Sequence, residues 1–534
     1  MTETATANDP RYKTIGGDPV AAAAAERPTR YAWFVLLVLC AASVVNAIDR
    51  QVLAILTQSV KADLRLTDAQ LGFLLGTGFS VFYAVVGIAM GRIADAVPRR
   101  KLMATGMALW SIMTATGAAS SNFPTLAVTR IGVGVGEASA NPCAHSLICD
   151  YFPRGARSMA LGCYNAGLYV GMAIAMLAGG AILQNWAGLC EALPGGWACG
   201  LRGWQAALLL ASVPGLPLAL IILTLREKER PGMERIGLGP LLLRELSACV
   251  PPFTIISLHR SGDRRAFTSN LLMLTLIVVV AWGAIMLTGD YAQWLAVGLG
   301  AYAVITWGQL QKQRDEPFYR LTYGCPTFLL AMLGGALVSA SIGGVNAWTA
   351  TYAMRVLGMS PAYAGATLGL ILASMSCTGV IGGGWIADRW LQHDRRAPMW
   401  LNALALVLSL PALAVMLNAS TPRGFLMGYA VFALVASSYP GAIAAMAQDL
   451  VLPRMRGSTA SAFSLVMVVI SASLGPYWIG KVSTLTGSLT WGLVSVQALA
   501  PIALGLLVAA AFRLGHETPE RRRARAEAAG EPHA

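Results

Sequence analysis

Apolar runs of about 20 residues recur along the whole chain, the length a helix needs to cross a hydrocarbon layer about 30 Å thick. They fall at 31–57, 70–94, 102–120, 123–151, 156–184 and 204–225, then at 271–288 and 292–309, then at 325–355, 362–387, 399–417, 425–448, 458–482 and 491–512. Lipid leaves no backbone group unpaired, so runs of this kind predict helices. The expected fold class is an all-α polytopic membrane protein, with helices grouped six, two and six. The N-terminal bundle covers 31–225 and the C-terminal bundle 325–513. Between them lie a polar linker at 226–270, an additional transmembrane hairpin at 271–311 with its turn at Asp290, and a connector at 312–324. Within the linker, 240–258 reads as an interfacial helix rather than a span. Residues 1–30 read as a disordered tail and 514–534 as a basic one, and no cleavable signal peptide is expected before the first span.

Composition sharpens this picture. The chain is 56% hydrophobic and 12% charged, where a soluble protein is about 25% charged. The net charge of +13 would suit a nucleic-acid ligand, but the placement of Lys and Arg excludes that partner. Arg92, Arg99, Arg100, Lys101, Arg154, Arg157, the linker arginines, Arg389, Arg395, Arg396, Arg454, Arg456 and Arg521 all fall at alternate helix ends. This is the positive-inside pattern, which puts both termini in the cytoplasm; the short loops suit a bacterial inner membrane. An even insertion keeps the second bundle in register, so the central pair is a hairpin. Of nine cysteines, Cys190 and Cys199 share one polar loop on the outer side, as a disulfide or as two free thiols. There is no phosphate-binding Gly-x-x-x-x-Gly-Lys-Ser/Thr loop, metal-ligand cluster or nucleophile constellation. An ATP-driven pump, an enzyme, a metal and a cofactor are therefore not expected.

The halves repeat. Val45-Asn46-Ala47 returns as Val345-Asn346-Ala347, Gly91-Arg92-Ile93-Ala94-Asp95 as Gly384-Trp385-Ile386-Ala387-Asp388, and Phe152-Pro153-Arg154 as Leu452-Pro453-Arg454. Each motif follows the equivalent span, so a pseudo-two-fold along the membrane normal is expected, with a cavity between the halves near the midplane. The fourth run carries Arg130 and Glu137, nearly on one helix face and two turns apart, with glycines between them that admit a close neighbour. Each ionised side chain at bilayer depth costs about 2.5–3.5 kcal/mol on insertion scales. Such a pair serves function, or it pins two helices as a structural ion pair.

The loop Gly91-Arg92-Ile93-Ala94-Asp95-Ala96-Val97-Pro98-Arg99-Arg100-Lys101 resembles the cytoplasmic gate motif of the major facilitator superfamily, with Ala96 in place of its usual basic residue and Pro98 in place of its second glycine. Arg130, Gly134 and Gly136 resemble that family's fourth-span motif. Within the superfamily the first half resembles the spinster group through Asn46-Ala47-Ile48-Asp49-Arg50-Gln51, Leu66-Thr67-Asp68-Ala69-Gln70-Leu71-Gly72, the gate loop and Arg130–Ala138. Organic anion symporters share some of these features. The resemblance implies two six-helix bundles and alternating access. It also implies a cytoplasmic gate at Gly91, Asp95, Arg99, Arg100, Asp388 and Arg389. Spinster proteins carry sphingosine phosphate and lysolipids, which implies an amphiphilic cargo.

The depths of the buried charges suggest coupling. With the first helix leaving the membrane near Thr57, Asp49 lies about 12 Å below that face, and Arg130 about 10 Å below it. The two are level and are expected to pair, with Glu137 about 10 Å deeper. An arginine that exchanges carboxylates between conformations makes proton binding depend on conformation, so Asp49, Arg130 and Glu137 are the proton-coupling candidates. Arg50 points about 100° away from Asp49, to bind an anionic headgroup or to reach outward. Asn46, Arg50, Tyr83, Tyr164 and Asn165 in the first half, and Asn346, Trp348, Thr349, Tyr352 and Ser437 in the second, are the substrate-contact candidates. His145 extends a proton path or packs. The expected protein is a monomeric transporter driven by the proton gradient, with protons, membrane lipids and a lysolipid- or sphingoid-type substrate as its partners. The alternatives are a proton-coupled symporter of small organic anions, a multidrug/proton antiporter, and a sensor built on a transporter fold.

Overall fold

A computed structural model of the chain describes residues 28–153, 156–192, 199–227, 250, 253–260 and 264–531. The first bundle consists of α1 (Arg30–Leu64), α2 (Asp68–Leu75), α3 (Thr77–Ala96), α4 (Arg99–Gly117), α5 (Phe123–Glu137), α6 (Ala140–Tyr151), α7 (Arg157–Ala192), α8 (Gly203–Ser212) and α9 (Gly215–Thr224). A short α10 (Phe253–Arg260) precedes the hairpin, α11 (Arg264–Thr288) and α12 (Tyr291–Arg314), and then α13 (Glu316–Leu321). The second bundle is α14 (Pro326–Arg355), α15 (Pro361–Leu391), α16 (Ala397–Asn418), α17 (Pro422–Ala436), α18 (Pro440–Asp449), α19 (Arg456–Thr486), α20 (Leu489–Ser495) and α21 (Leu499–Leu514), followed by α22 (Pro519–Glu527). Among the described residues there is no strand.

Among the described residues, eleven helical segments are long and apolar enough to cross a membrane. The remaining three expected spans are helical but more polar or interrupted. Helix α4 opens on Arg99-Arg100-Lys101, α5 and α6 are separated by a break, and α12 ends on Lys312-Gln313-Arg314. The expected interfacial helix at 240–258 lies mostly outside the described residues; only α10 covers its end. Helix α11 starts earlier than the hydropathy pattern indicates because its polar first turns find partners. Asn270 donates to Thr306 Oγ1 at 3.2 Å and to Gln309 Oε1 at 2.9 Å, and accepts from the Tyr302 hydroxyl at 2.7 Å. Inter-helix hydrogen bonds of this kind hold membrane helices together.

The duplication read in the sequence is carried into backbone detail. Helix α5 stops after Glu137 and α6 restarts at Ala140; α17 stops after Ala436 and α18 restarts at Pro440. Both fourth spans are thus broken at the same place.

The hairpin belongs to the packed body. Helix α12 crosses the seam between α3 and α19, where a Cβ on Gly300 would stand 2.9 Å from Val469 and 3.1 Å from Val81. Gln293 accepts from Thr77 Oγ1 at 2.7 Å and donates to the Ser473 carbonyl at 2.9 Å. At the turn, Asp290 accepts from the Tyr477 hydroxyl at 2.8 Å and from Lys481 Nζ at 2.7 Å. At the other end, Arg454 donates to both oxygens of Asp315, at 2.7 and 3.1 Å, and holds that carboxyl below the usual carboxylate range.

Candidate functional site

The centre of the first bundle is built on close backbone approach. A Cβ on Gly134 would lie 2.5 Å from the Phe79 carbonyl of α3, and one on Gly136 would lie 2.8 Å from the Gly106 carbonyl of α4. These glycines let α5 wedge between α3 and α4. We expect Gly134→Val to destabilise the bundle by about 3 kcal/mol or more, since the added methyls meet main chain that cannot yield. Thermal unfolding and the yield of monodisperse protein check this; a wild-type melting curve would show that α5 can move away.

Where α5 ends, the Ser139 hydroxyl turns back to the Gly136 carbonyl at 3.0 Å and leaves Glu137 at the break. Arg50 Nε donates to Glu137 Oε2 at 2.6 Å; Glu137 is fully buried and Arg50 is 29% exposed. The guanidinium lies over the rings of Phe79, at 4.8 Å, and Tyr83, at 4.6 Å, a cation–π arrangement. The Tyr83 hydroxyl accepts from Asn141 Nδ2 at 3.0 Å, and Asn141 Oδ1 accepts from the Tyr164 hydroxyl at 2.9 Å. His145 stands edge-on to Tyr164 at 5.5 Å. A polar and aromatic ladder thus runs from Glu137 to exposed Asn141 and His145.

Asp49 and Arg130 lie beside the Arg50–Glu137 pair but do not form the expected ion pair. Arg130 Nη1 donates instead to the main-chain carbonyl of Asp49 at 3.1 Å, and its guanidinium lies 5.7 Å from the Phe79 ring. The fully buried Asp49 carboxyl faces the Thr114 hydroxyl and the Trp110 indole N–H of α4 instead. The turn of one residue between Asp49 and Arg50 explains the exchange, since it is Arg50 that faces α3 and Glu137. The three coupling candidates and Arg50 are therefore brought together, with a different pairing from the one expected.

The substrate candidates divide. Arg50, Tyr83 and Tyr164 join the ladder; Asn46 is buried beside Glu137, and Asn165 is exposed. In the second bundle, Asn346 is half-buried and faces the Tyr429 hydroxyl at 3.5 Å, and Ser437 sits half-buried at the break between α17 and α18. Trp348, Thr349 and Tyr352 correct the expectation of substrate contact, because all three are core. Trp348 Nε1 donates to the Pro476 carbonyl at 2.9 Å, Thr349 Oγ1 to its own helix at Val345, and Tyr352 stacks on Phe425.

Among the described gate side chains, Arg99 and Arg100 find their partners elsewhere. Arg99, 1% exposed, binds Glu227 at 2.8 Å, Asp150 at 2.5 Å and Ser146 at 2.8 Å, and Arg100 donates to the Leu223 and Leu225 carbonyls. All these partners lie within the first bundle except Glu227, at the start of the linker. Gly91, Asp388 and Arg389 are exposed, with Arg389 over the Trp385 ring; the Asp95 side chain lies outside the described residues. On this basic face the bundles diverge, and a Cβ on Gly162 of α7 or Gly382 of α15 would meet nothing within 4 Å.

The opposite face is sealed by residues that the sequence reading missed. Arg355, at the end of α14, grips Asp68 of α2 with two hydrogen bonds of 2.6 and 2.8 Å, and Lys61 and Ser483 add bonds of 2.7 and 2.6 Å. The Gln58 side chain accepts from Arg355 as well. Nearby, a Cβ on Gly180 would stand 2.2 Å from the Pro361 carbonyl and one on Gly365 2.1 Å from that of Met176, so α7 and α15 touch along their backbones. Asp68 lies inside a quoted motif, so the sequence singles it out only through the resemblance, not as one half of a clasp. On the same face, Cys190 and Cys199 are joined in a disulfide with their Cα atoms 5.1 Å apart.

Two duplicated helix bundles sealed at one face, divergent at the other and carrying charges buried between lipid-facing helices define a membrane transporter. The chain belongs to the Major Facilitator Superfamily, which residues 39–476 match. It is 26% identical over 489 residues to a Mycolicibacterium smegmatis MFS-type efflux pump, covering 91% of each chain. It is likewise 26% identical over 471 residues to human protein spinster homolog 1, covering 84% of this chain and 72% of that one. A solved structure of a bacterial homologue of the human lysosomal transporter spinster, inward-facing and unoccupied, shares the fold with a TM-score of 0.71 at 24% identity, over 92% of this chain and 100% of that chain.

Proposed function

We propose that the protein is a proton-coupled secondary transporter of an amphiphilic, lipid-like molecule, of lysolipid or sphingoid type, that works by alternating access. The observation that carries this reading is the Arg50–Glu137 bond. A buried carboxylate holds a partly exposed guanidinium against two aromatic rings, at the head of a ladder that leads to the diverging face. A proton arriving at Glu137 cancels the charge that holds Arg50. The freed guanidinium then meets an anionic headgroup while Phe79 and Tyr83 offer apolar faces to the chain behind it. Proton and cargo thereby bind the two conformations differently, which is what coupling needs. The positive-inside pattern assigns the basic face to the cytoplasm of a bacterial inner membrane, so this conformation is inward-open. Similarity to spinster proteins supports the amphiphilic cargo. Similarity over 91% of the chain to an efflux pump favours a second reading, proton-driven export of amphiphilic drugs.

The test is flux into proteoliposomes with and without an imposed pH gradient, using lysolipids, sphingoid bases, cationic dyes and sugar acids. Gradient-dependent movement of lysolipids or sphingoid bases is the expected result. Flux of dyes alone would select the drug antiporter, and flux of sugar acids alone a symporter of small organic anions.

A further inference from the structure

A cavity of about 890 Å³ lies away from the charged site, between the hairpin, α13, α14 and α19. We infer that it is a binding site for a resident two-chain acidic glycerophospholipid of the leaflet that meets the basic face. This does not depend on the identity of the cargo, because none of the charged-site residues lines the cavity.

Three observations converge on that occupant. First, the groove is amphiphilic along its length. Arg265 at the start of α11 and Lys312 at the end of α12 stand at its mouth, with Gln309 beside them, while Met273, Val304 and Ile470 line its body. Cationic residues at the basic face suit an anionic headgroup, and each contributes a factor of about five to binding acidic lipid. Second, at the far end Gln293 and Lys481 are already bonded to Ser473 and Asp290, so the cations left to meet a headgroup are those at the basic face. Third, the described contacts of α11 are chiefly with its hairpin partner α12. Only 6% of its apolar window is buried, and Asn270 and Ile285 are its buried residues. A helix so exposed, held across a fixed groove by its partner α12, presents two apolar walls to acyl chains. The bonds of Asp290 and Asp315 at the two ends of α12 keep those walls apart.

The purified full chain is exposed to equal amounts of phosphatidylglycerol, lysophosphatidylglycerol and phosphatidylcholine of matched chains, and retained lipid is read by native mass spectrometry. Wild type is expected to retain phosphatidylglycerol over both of the others. The double variant R265Q/K312Q, both sites being exposed, should lose about thirtyfold of the preference over phosphatidylcholine, from two charges together. V304W, which fills the groove and spares both charges, should lower retention of every lipid. R513Q, a basic residue at the same face on α21 and outside the groove, should behave as wild type and controls for general surface charge. Equal retention of phosphatidylglycerol and phosphatidylcholine by wild type overturns the proposal. So does an unchanged preference in the double variant, or retention of the lysolipid that equals that of phosphatidylglycerol and is lost in V304W, which would make this a single-chain site; lysolipid held at the charged site is unaffected by V304W. Should V304W fail to fold, the double variant decides alone.

Discussion

Glu137→Gln is expected to reduce gradient-driven flux to the level of empty liposomes while leaving cargo exchange without a gradient largely intact. The amide keeps the shape of the side chain and an oxygen for Arg50 Nε, so the 2.6 Å contact persists as a hydrogen bond from the cationic guanidinium to a neutral amide oxygen, weaker than the bond to a carboxylate. What disappears is the ability to gain and lose a proton, and with it the conformational difference in proton binding that drives net movement. Folding should survive, because the substitution removes a buried charge and adds no volume. The measurement is paired, with uptake under an imposed pH gradient set against counterflow exchange in the same vesicles. Proton dependence unchanged from wild type would remove Glu137 from the coupling role. Asp49→Asn is the companion, since its carboxyl is fully buried beside Arg130, Thr114 and Trp110. If that variant alone uncouples flux, the proton site is Asp49.

The helical framework and its duplication were legible because they rest on two strong signals, apolar runs of membrane length and motifs repeated in order. The hairpin was legible for the same reason. Its seat against α3 and α19 was not, since nothing in α12 alone announces that Gln293 bonds Ser473. The charged residues of the site were legible as types, because each is costly at its depth. Their pairing was not. Depth counting places Asp49 and Arg130 at one level, but azimuth around α1 decides which side chain reaches Glu137, and a helix count carries no information on how α1 is rotated against α5. Trp348, Thr349 and Tyr352 were misassigned for a related reason. An aromatic or hydroxyl residue in a span looks the same in sequence whether it faces a cavity or a neighbouring carbonyl, as Trp348 does at Pro476. The Asp68 clasp was obscured because a charge near a helix end already has a sufficient explanation in topology.

That clasp gives the second large effect. Arg355→Ala should shift the protein away from the conformation sealed at the Asp68 face. Asp68 is 4% exposed and takes two of its hydrogen bonds from the Arg355 guanidinium, which is 24% exposed. Removing one partner of a buried pair costs about 3–5 kcal/mol, and the partial exposure of the arginine and the remaining Lys61 and Ser483 bonds reduce that to about 2 kcal/mol. The bond bridges the two bundles, so its loss falls on the sealed state alone, and about 2 kcal/mol moves the ratio of the two states about thirtyfold. Spin labels at Ser121, in the loop before α5, and at Arg423, in the first turn of α17, both exposed on that face, should report a longer distance population in the variant, in a background lacking the free cysteines. Arg355→Lys, which keeps the charge but not the forked geometry, should fall between. A distance distribution identical to wild type would mean that the backbone contact of α7 with α15 at Gly180 and Gly365 holds the face closed without the charges. In that case the same labels should respond to Gly180→Leu, whose side chain has no room beside the Pro361 carbonyl.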